Sequence, residues 1–367
     1  MNQNYDIKIK TLSPIHIGAG IDKNWQRAAD FVHTNGRIYV LDQRKVWLGL
    51  DDRQQQKYVD WLGSGRFAEV ERLIVDTLNL ENISTNIFEY DGRLQSREIK
   101  TLMRNGLNEP YIPGSSIKGA MASALLNFIY NGVKPQYYND QTAKELLGTF
   151  DRALGRYVRP YDSSEMATEI NDVDLYNLYQ RAMRWEGAFK EDFRIILETF
   201  KENTEGVMRL SFATGLADFI KKQRGDVALP TYYKNTFGEK PMENIFKIIN
   251  NYTRTHAQRE LAYFNQYNDH DDIELVIEQL EDIIKDIDKI GEQSCILRLS
   301  FGSGFHGITG DWRFKDHTST IAQPDNKNMI YSRTTRQKEP ARYKSRRLVF
   351  PFNGLMGFIR LEATASV

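Results

Sequence analysis

The segment at 111–119, which runs YIPGSSIKG, constrains the fold of this chain more than any other stretch. Its Pro-Gly pair predicts a tight turn, and Ser115 or Ser116 is suited to cap a helix over about 117–130. Free backbone N–H groups, the two hydroxyls and the Lys118 ammonium would then converge on one point, which suits a phosphate group. The segment lacks the G-x-x-x-x-G-K-[ST] pattern, so a P-loop is not expected. A capped helix start that binds nothing is the alternative.

Two glycine-rich stretches repeat one layout. Residues 12–20 follow an alternating apolar run at 5–12, and residues 302–310 follow another at 295–301. Each run predicts a strand with one buried face. The glycines that follow allow a backbone to approach a ligand closely, although hairpins also need glycine. Because each stretch carries one histidine, we expect two ligand-facing loops of related design.

Three of these segments together resemble the RAMP superfamily of CRISPR proteins. They are HIGAG at 16–20, IPGSSIKG at 112–119 and the late glycine-rich loop. Two further segments, at 156–163 and from 344 to 358, are similar to the fifth Csm-type subunit of type III-A effector complexes.

This resemblance implies a non-catalytic subunit that binds CRISPR RNA (crRNA). Such a subunit would cap the protein filament at the crRNA 3′ end and support crRNA maturation. Its expected partners are crRNA and other Csm-type subunits, above all the repeating backbone RAMP subunit, with host nucleases as further candidates. No membrane partner is expected.

The expected RNA contacts come from the two glycine loops, the YIPGSSIKG segment and a basic stretch near the end of the chain. Phosphate contacts of this kind position RNA without reading its sequence. The predicted RNA-binding residues are His16, Gly18, Gly20, Ser115, Ser116, Lys118, Gly119, Gly302, Gly304, His306, Arg342, Lys344, Arg346 and Arg347.

The basic stretch at 333–347 contains many Lys and Arg residues and a single acidic residue, Glu339. Tyr331 and Tyr343 alternate with these cations. Arginine forks bind phosphate with two hydrogen bonds, and tyrosines stack on bases. The pattern therefore predicts an RNA-facing patch, and a solvated basic loop is the alternative.

The hydrophobic patterns indicate an α+β fold with antiparallel strands. The resemblance implies two ferredoxin-like, RRM-related RAMP domains, at 1–175 and 176–367, the second with a largely helical insertion at about 215–292. The region at about 161–293 is expected to be mostly helical, with one strand interrupting it. The expected strands are 5–12, 37–41, 207–212, 295–301 and 357–361, and the expected helical segments are 59–80, 117–130 and 271–290.

Composition limits the classes of function. The 49 Lys and Arg balance the 49 Asp and Glu, so any RNA site must be a local patch, and binding by the chain alone should be weak and sensitive to salt. The single cysteine, Cys295, excludes an internal disulfide and a cysteine metal cluster, and no cofactor or metal is expected. The N-terminal residues carry no signal-peptide pattern, so the expected location is the cytoplasm.

Catalysis is the main alternative function. A RAMP endoribonuclease that cuts precursor crRNA would use His16 or His306 as acid–base. A metal-dependent nuclease acting on target RNA would need clustered carboxylates, for which Asp22 and Asp30 are the candidates. A scaffold whose patches bind protein is a further alternative. We expect no catalytic residue, because each histidine is better suited to ordering its loop or to hydrogen-bonding RNA.

Overall fold

The computed structural model describes most of the chain. The described residues are 3–92, 94, 96–130, 158–181, 184–213, 240–267, 273–299, 301–304, 325–331, 338–341 and 345–364.

A five-stranded antiparallel sheet forms the centre of the molecule. The strands expected from alternation at 5–12, 207–212, 295–301 and 357–361 are confirmed in it, with boundaries shifted by a few residues. In the order in which they lie in the sheet, the five strands are β11 (Ser294–Arg298), β15 (Phe358–Thr364), β1 (Gln3–Thr11), β10 (Glu205–Phe212) and β7 (Val158–Pro160).

The alternation of β1 explains how this sheet packs. Ile7 and Ile9 are buried, whereas Lys8 lies on the opposite face and pairs with Glu205 of β10 at 2.8 Å. Two helices cover the buried face, α5 (Gly114–Tyr130) and α6 (Pro241–Gln266). Their apolar side chains share one core with the sheet, which includes Ile7, Ile9, Ile117, Met121, Leu210, Ile245, Ile249 and Leu361.

A long hairpin replaces part of the helical region expected at about 161–293. Its strands are β8 (Thr168–Arg181) and β9 (Arg184–Phe200), and β14 (Ser345–Phe350) pairs with β8. The expectation of a mostly helical region is therefore wrong here. The helical part is confirmed farther along, in α6 and in α7 (Glu274–Lys289), whose apolar stripe is buried.

A helical layer packs over a small sheet near the start of the chain. The sheet pairs β3 (Phe31–Thr34), β4 (Arg37–Leu41) and β5 (Ser84–Glu89), so the strand expected at 37–41 is confirmed. The helical spacing at 59–80 belongs to more than one helix. The layer consists of α1 (Gln43–Gly49), α2 (Asp52–Gly63), α3 (Phe67–Thr77) and α4 (Leu80–Ile83), and the predicted spacing falls on α2, α3 and the first residue of α4.

Two short ladders complete the described elements. β2 (Trp25–Gln26) pairs with β6 (Glu98–Ile99), and β12 (Asp325–Tyr331) pairs with β13 (Lys338–Ala341), both antiparallel. The molecule is therefore a mixed α/β protein with antiparallel sheets, as expected. The central sheet takes strands from both sides of residue 175, and the division into two ferredoxin-like domains stays a prediction. Within the described ranges, every helix is too short or too polar to cross a membrane.

Candidate nucleic-acid interface

Helix α5 begins earlier than its sequence pattern predicts. It starts at Gly114, so Ser115 and Ser116 lie inside its first turn and neither serine is the N-cap. The Gly114 N–H instead donates to Oδ1 of Asp162 at 2.8 Å. The capping group therefore comes from the loop after β7, and the exposed Ser115 keeps its hydroxyl at the surface.

Gly114 is required at the helix start because the backbone of β7 passes directly beside it. A Cβ placed on Gly114 would lie 2.2 Å from the Pro160 carbonyl oxygen and 2.8 Å from the carbonyl carbon of Tyr161. Both neighbours are backbone atoms, which cannot rotate away. This close approach brings the end of β7 to the start of α5.

Two cations belong to this junction of α5 and β7. Burial lowers the pKa of the Lys118 ammonium, and the positive charge of Arg159 lowers it further. Arg159 is exposed on β7, and Lys118 is partly exposed on the first turns of α5. Like charges held near each other favour an anion between them.

The first glycine loop is joined to the turn before α5 by the segment that follows β6. Gly18 forms an antiparallel bridge with Leu102. The Met103 N–H donates to the Ile17 carbonyl oxygen at 2.9 Å, and the Tyr111 N–H donates to the Met103 carbonyl oxygen at 3.2 Å. These hydrogen bonds bring the predicted residues Gly18 and Gly20 into one continuous structure with the YIPGSSIKG segment.

His16 lies beneath this loop rather than on it. The side chain is only 4% exposed, and its Nδ1 lies 2.7 Å from the Glu198 carbonyl oxygen. Because a carbonyl oxygen only accepts, Nδ1 carries the proton and Nε2 is the acceptor in the neutral ring. Burial lowers the pKa of His16, an effect that the contact with Glu198 opposes. The imidazole is therefore neutral at physiological pH.

The two glycine loops meet at His16. The Phe301 N–H donates to the His16 carbonyl oxygen at 3.3 Å, and the two rings pack edge to face at 5.7 Å. In the late loop, Gly302 and Gly304 both have positive φ, which favours glycine. The structure thus brings Phe301, at the entrance to the late loop, against the first loop, while His306 lies outside the described residues.

A buried ion pair supports the first loop from below. Nη1 and Nη2 of Arg104 donate to the carboxylate of Glu198, at 2.8 and 2.6 Å, and Glu198 is fully buried. The Leu102 N–H donates to the same carboxylate at 3.0 Å. Sequence motifs do not indicate Arg104 or Glu198, because these two partners lie far apart along the chain.

The predicted basic patch is divided between the interior and the surface. Arg346 is buried, and its Nε and Nη2 donate to the carboxylate of Glu260 on α6, at 2.5 and 2.8 Å. Its guanidinium is therefore withdrawn from solvent. Arg347 is partly exposed and donates to the Phe193 carbonyl oxygen at 2.6 Å. Arg342 and Lys344 lie outside the described residues.

The late loop is tied to the same buried network. Arg298 Nη2 donates to the Gly302 carbonyl oxygen at 3.0 Å, and Nη1 donates to Nε2 of His256 at 2.7 Å. Burial lowers the pKa of His256 to about 3, and the charge of Arg298 adds to this effect. Burial would raise the pKa of Glu260, but Arg346, His256 and Arg298 outweigh it and lower the pKa to about 2.

The carboxylates proposed for a metal-dependent nuclease do not converge. Asp30 accepts from the Gln26 N–H at 2.8 Å, as in a turn, and Asp22 lies 3.9 Å from the Lys23 ammonium at the surface. Across the described ranges, no three His, Cys, Asp or Glu side chains are grouped as metal ligands.

Comparison with known proteins defines the class. The model of the RAMP superfamily matches residues 8–314, which is more than half of the chain. The chain therefore belongs to the RAMP superfamily.

Within that superfamily, the chain resembles Csm5 proteins. It is 25% identical over 323 residues to the CRISPR system Cms protein Csm5 of Methanocaldococcus jannaschii, covering 82% of this chain and 71% of that protein. It is 23% identical over 234 residues to the Csm5 of Streptococcus thermophilus, covering 57% of this chain and 63% of that protein. These relatives confirm the resemblance predicted from the sequence.

Two solved structures share the fold. A chain of the cryo-EM structure of a Csm-crRNA-target RNA ternary complex from a type III-A CRISPR-Cas system superposes with a TM-score of 0.68 and 16% identity, covering 99% of this chain and 100% of that one. The crystal structure of T. onnurineus Csm5 gives a TM-score of 0.58 at 14% identity, covering 96% and 99%.

Proposed function

We propose that this chain is a non-catalytic crRNA-binding subunit of a type III-A Csm interference complex. It caps the filament of RAMP subunits at the crRNA 3′ end and supports crRNA maturation, with the repeating backbone subunit as its neighbour and host nucleases as candidate partners. The names of the Csm5 relatives support this assignment, as does the fold shared with a chain of a Csm-crRNA-target RNA complex.

The meeting of the two glycine loops at His16 carries the proposal. The hydrogen bond from the Phe301 N–H to the His16 carbonyl oxygen holds the late loop against the first. The exposed Gly18 and Gly20 and the positive-φ Gly304 leave backbone open to a close ligand, whereas Gly302 packs against Met356. A sugar–phosphate backbone is the ligand that such sequence-tolerant contacts suit.

The start of α5 extends this surface. Ser115, Ser116, Lys118 and Gly119 lie on its first turns, where the helix dipole favours an anion. Arg159 of β7 adds a second cation close to Lys118. These groups supply phosphate contacts, and the zero net charge of the chain suits a subunit that shares its RNA with neighbours.

The environment of His16 supports a positioning role over catalysis. Its Nδ1 is committed to the Glu198 carbonyl oxygen, and the ring lies almost entirely out of solvent. A general base must reach the proton that it removes. We therefore assign His16 to holding the two glycine loops in register.

The test replaces Lys118 by alanine in the reconstituted Csm complex. Removing one charge-assisted hydrogen bond to a phosphate should weaken crRNA retention by about 1–3 kcal/mol without unfolding the chain. The matched control is Lys45→Ala, which removes an exposed lysine from α1. Guide occupancy and crRNA 3′-end lengths are the two readouts.

Unchanged occupancy and unchanged 3′ ends in Lys118→Ala would contradict the proposed role of this surface. The catalytic alternative is tested by incubating the full-length chain with labelled repeat RNA and target RNA, with and without Mg²⁺. Cleavage that disappears in His16→Ala would make the chain a nuclease.

A further inference from the structure

A cavity of about 470 Å³ opens beside the start of α3, away from the loops described above. Its volume falls within the range of pockets that hold small ligands. Three arginines line it together with one aromatic ring and two carboxylates. The lining side chains that matter are Arg27, Arg66, Arg97, Phe67, Glu69 and Glu71.

One arginine of the cavity is already neutralised. Nη2 of Arg27 lies 2.9 Å from Oε2 of Glu71, and Nε donates to the same carboxylate. Glu71 also accepts from the His33 N–H at 3.2 Å. This pair forms a fixed, electrically balanced wall.

The remaining two arginines have no carboxylate partner among the described residues. Arg66 is exposed, donates to the Ser64 hydroxyl at 3.3 Å and lies over the Trp61 ring. Arg97 is exposed and lies 5.8 Å from the centre of the Phe67 ring. Only Glu69 opposes them in the cavity, so an anionic group would be drawn to this side.

The cavity combines cations with flat apolar surface. Phe67 is partly exposed within it, and the Trp61 ring lies beneath the Arg66 guanidinium, with Lys57 5.8 Å from the ring centre. α3 begins at Phe67 with no side-chain cap on its first turn, and its dipole adds to the attraction for an anion. Aromatic faces beside arginine forks suit an unpaired nucleotide, because the base stacks while the phosphate is paired.

The wall of the cavity follows the first glycine loop along the chain. The chain passes from Gly20 through a 3₁₀ turn at Ile21–Lys23 into β2, and Arg27 follows directly. The Arg27 N–H donates to the Arg97 carbonyl oxygen at 2.9 Å, which closes the cavity against the strand that leads back to the loop.

We propose that this cavity binds one nucleotide of single-stranded RNA, with its phosphate held by Arg66 and Arg97 and its base against Phe67. The proposal rests on the RNA-binding function proposed above. It adds a second contact point beyond the glycine loops.

The test measures the affinity of the full-length chain for fluorescent single-stranded RNA at low salt, where phosphate contacts are strongest. Arg66→Gln combined with Arg97→Gln should weaken binding at least about tenfold, as expected when charge-assisted hydrogen bonds are removed. The slope of log affinity against log salt should become shallower by about 0.7 for each phosphate that the variant no longer neutralises. Glu69→Gln should tighten binding.

The matched control is Arg44→Gln combined with Arg53→Gln, which makes the same change of charge on exposed arginines of α1 and α2. Equal decreases in affinity in both double variants would overturn the proposal, because the effect would then be one of net charge. Thermal unfolding of each variant checks that the fold is kept.

The outcomes of these binding experiments distinguish the cavity proposal from the RNA-binding function proposed above. Loss of RNA affinity in Lys118→Ala with none in the cavity variant would overturn the cavity alone, and the reverse would overturn the phosphate contacts at the start of α5. No RNA binding by the wild-type chain at low salt would overturn the cavity proposal, whereas the proposed function is tested separately by crRNA retention in the assembled complex. Unchanged RNA affinity with loss of the cavity variant from the assembled complex would assign the cavity to an acidic segment of a neighbouring subunit instead.

Discussion

The imidazole of His16 and the main chain of Glu198 are joined by one buried hydrogen bond, from Nδ1–H to the carbonyl oxygen at 2.7 Å. The carboxylate of the same Glu198 accepts two hydrogen bonds from Arg104 and one from the Leu102 N–H. A single residue of β9 therefore fixes the first glycine loop and the segment beside it.

Replacing Glu198 by glutamine should destabilise the chain by about 3 kcal/mol. The neutral amide leaves the guanidinium of Arg104 without its counter-charge in a buried site, and breaking one partner of such a pair is costly. Urea unfolding of the full-length chain measures the change in the free energy of unfolding.

The matched control is Glu205→Gln. Glu205 pairs with Lys8 at 2.8 Å, but both side chains are about half exposed, so the loss of stability should be less than about 1 kcal/mol. Similar costs for the two variants would show that burial of Glu198 does not govern its contribution.

Much of the central sheet could be predicted because its signals are local. Alternation along β1 and β10 places apolar side chains on one face. The hairpin of β8 and β9 escaped prediction because two of its buried positions are Asp172 and Asp174. Their partners are Tyr90 and Arg194, and the contact with Tyr90 links residues distant in the sequence.

The candidate site shows the same division. The glycine loops and the turn before α5 were found from motifs, because glycine and proline report backbone geometry directly. The burial of Arg346 could not be predicted in this way. Its partner Glu260 lies 86 positions away along the chain. A run of cations predicts a solvated surface, and the run itself does not show that a distant carboxylate pairs with one of its arginines.

Arg346→Ala should destabilise the chain by about 3–5 kcal/mol, because it leaves the Glu260 carboxylate buried without its main partner. Arg347→Ala should cost about 1 kcal/mol or less, since it loses one hydrogen bond at a partly exposed site. Urea unfolding of both variants gives the comparison. A folded Arg346→Ala chain of normal stability that fails to bind RNA would return Arg346 to the RNA surface.

Acid should weaken the fold through His256. Its pKa in the folded chain is about 3, against an ordinary value of 6.5. Between these values the unfolded chain binds a proton that the folded chain does not, so stability falls as pH decreases through this window. Glu260, with a pKa lowered from 4.5 to about 2, weakens the fold in the same direction at lower pH.

His256→Gln isolates this contribution, because the amide oxygen still accepts from Arg298. Between pH 6 and 5, where His256 titrates only in the unfolded chain, the stability of the wild type should fall by up to about 1.4 kcal/mol per pH unit more steeply than that of the variant. Urea unfolding at a series of pH values measures both slopes. Parallel slopes would show that His256 is not buried as a neutral ring.

Two glycines of α5 should respond in opposite ways to alanine. Gly114→Ala places a Cβ 2.2 Å from the Pro160 carbonyl oxygen, so α5 and β7 must separate, at a cost of about 1–3 kcal/mol. Gly119→Ala meets no atom within 4 Å and should stabilise the helix by about 0.5–1 kcal/mol. Thermal unfolding separates the two variants.

If Gly119→Ala nevertheless weakens crRNA retention in the assembled complex, the cause is the added methyl group at the RNA surface, since the fold itself has gained stability. Unchanged retention would remove Gly119 from the predicted contacts while leaving those of Lys118 intact.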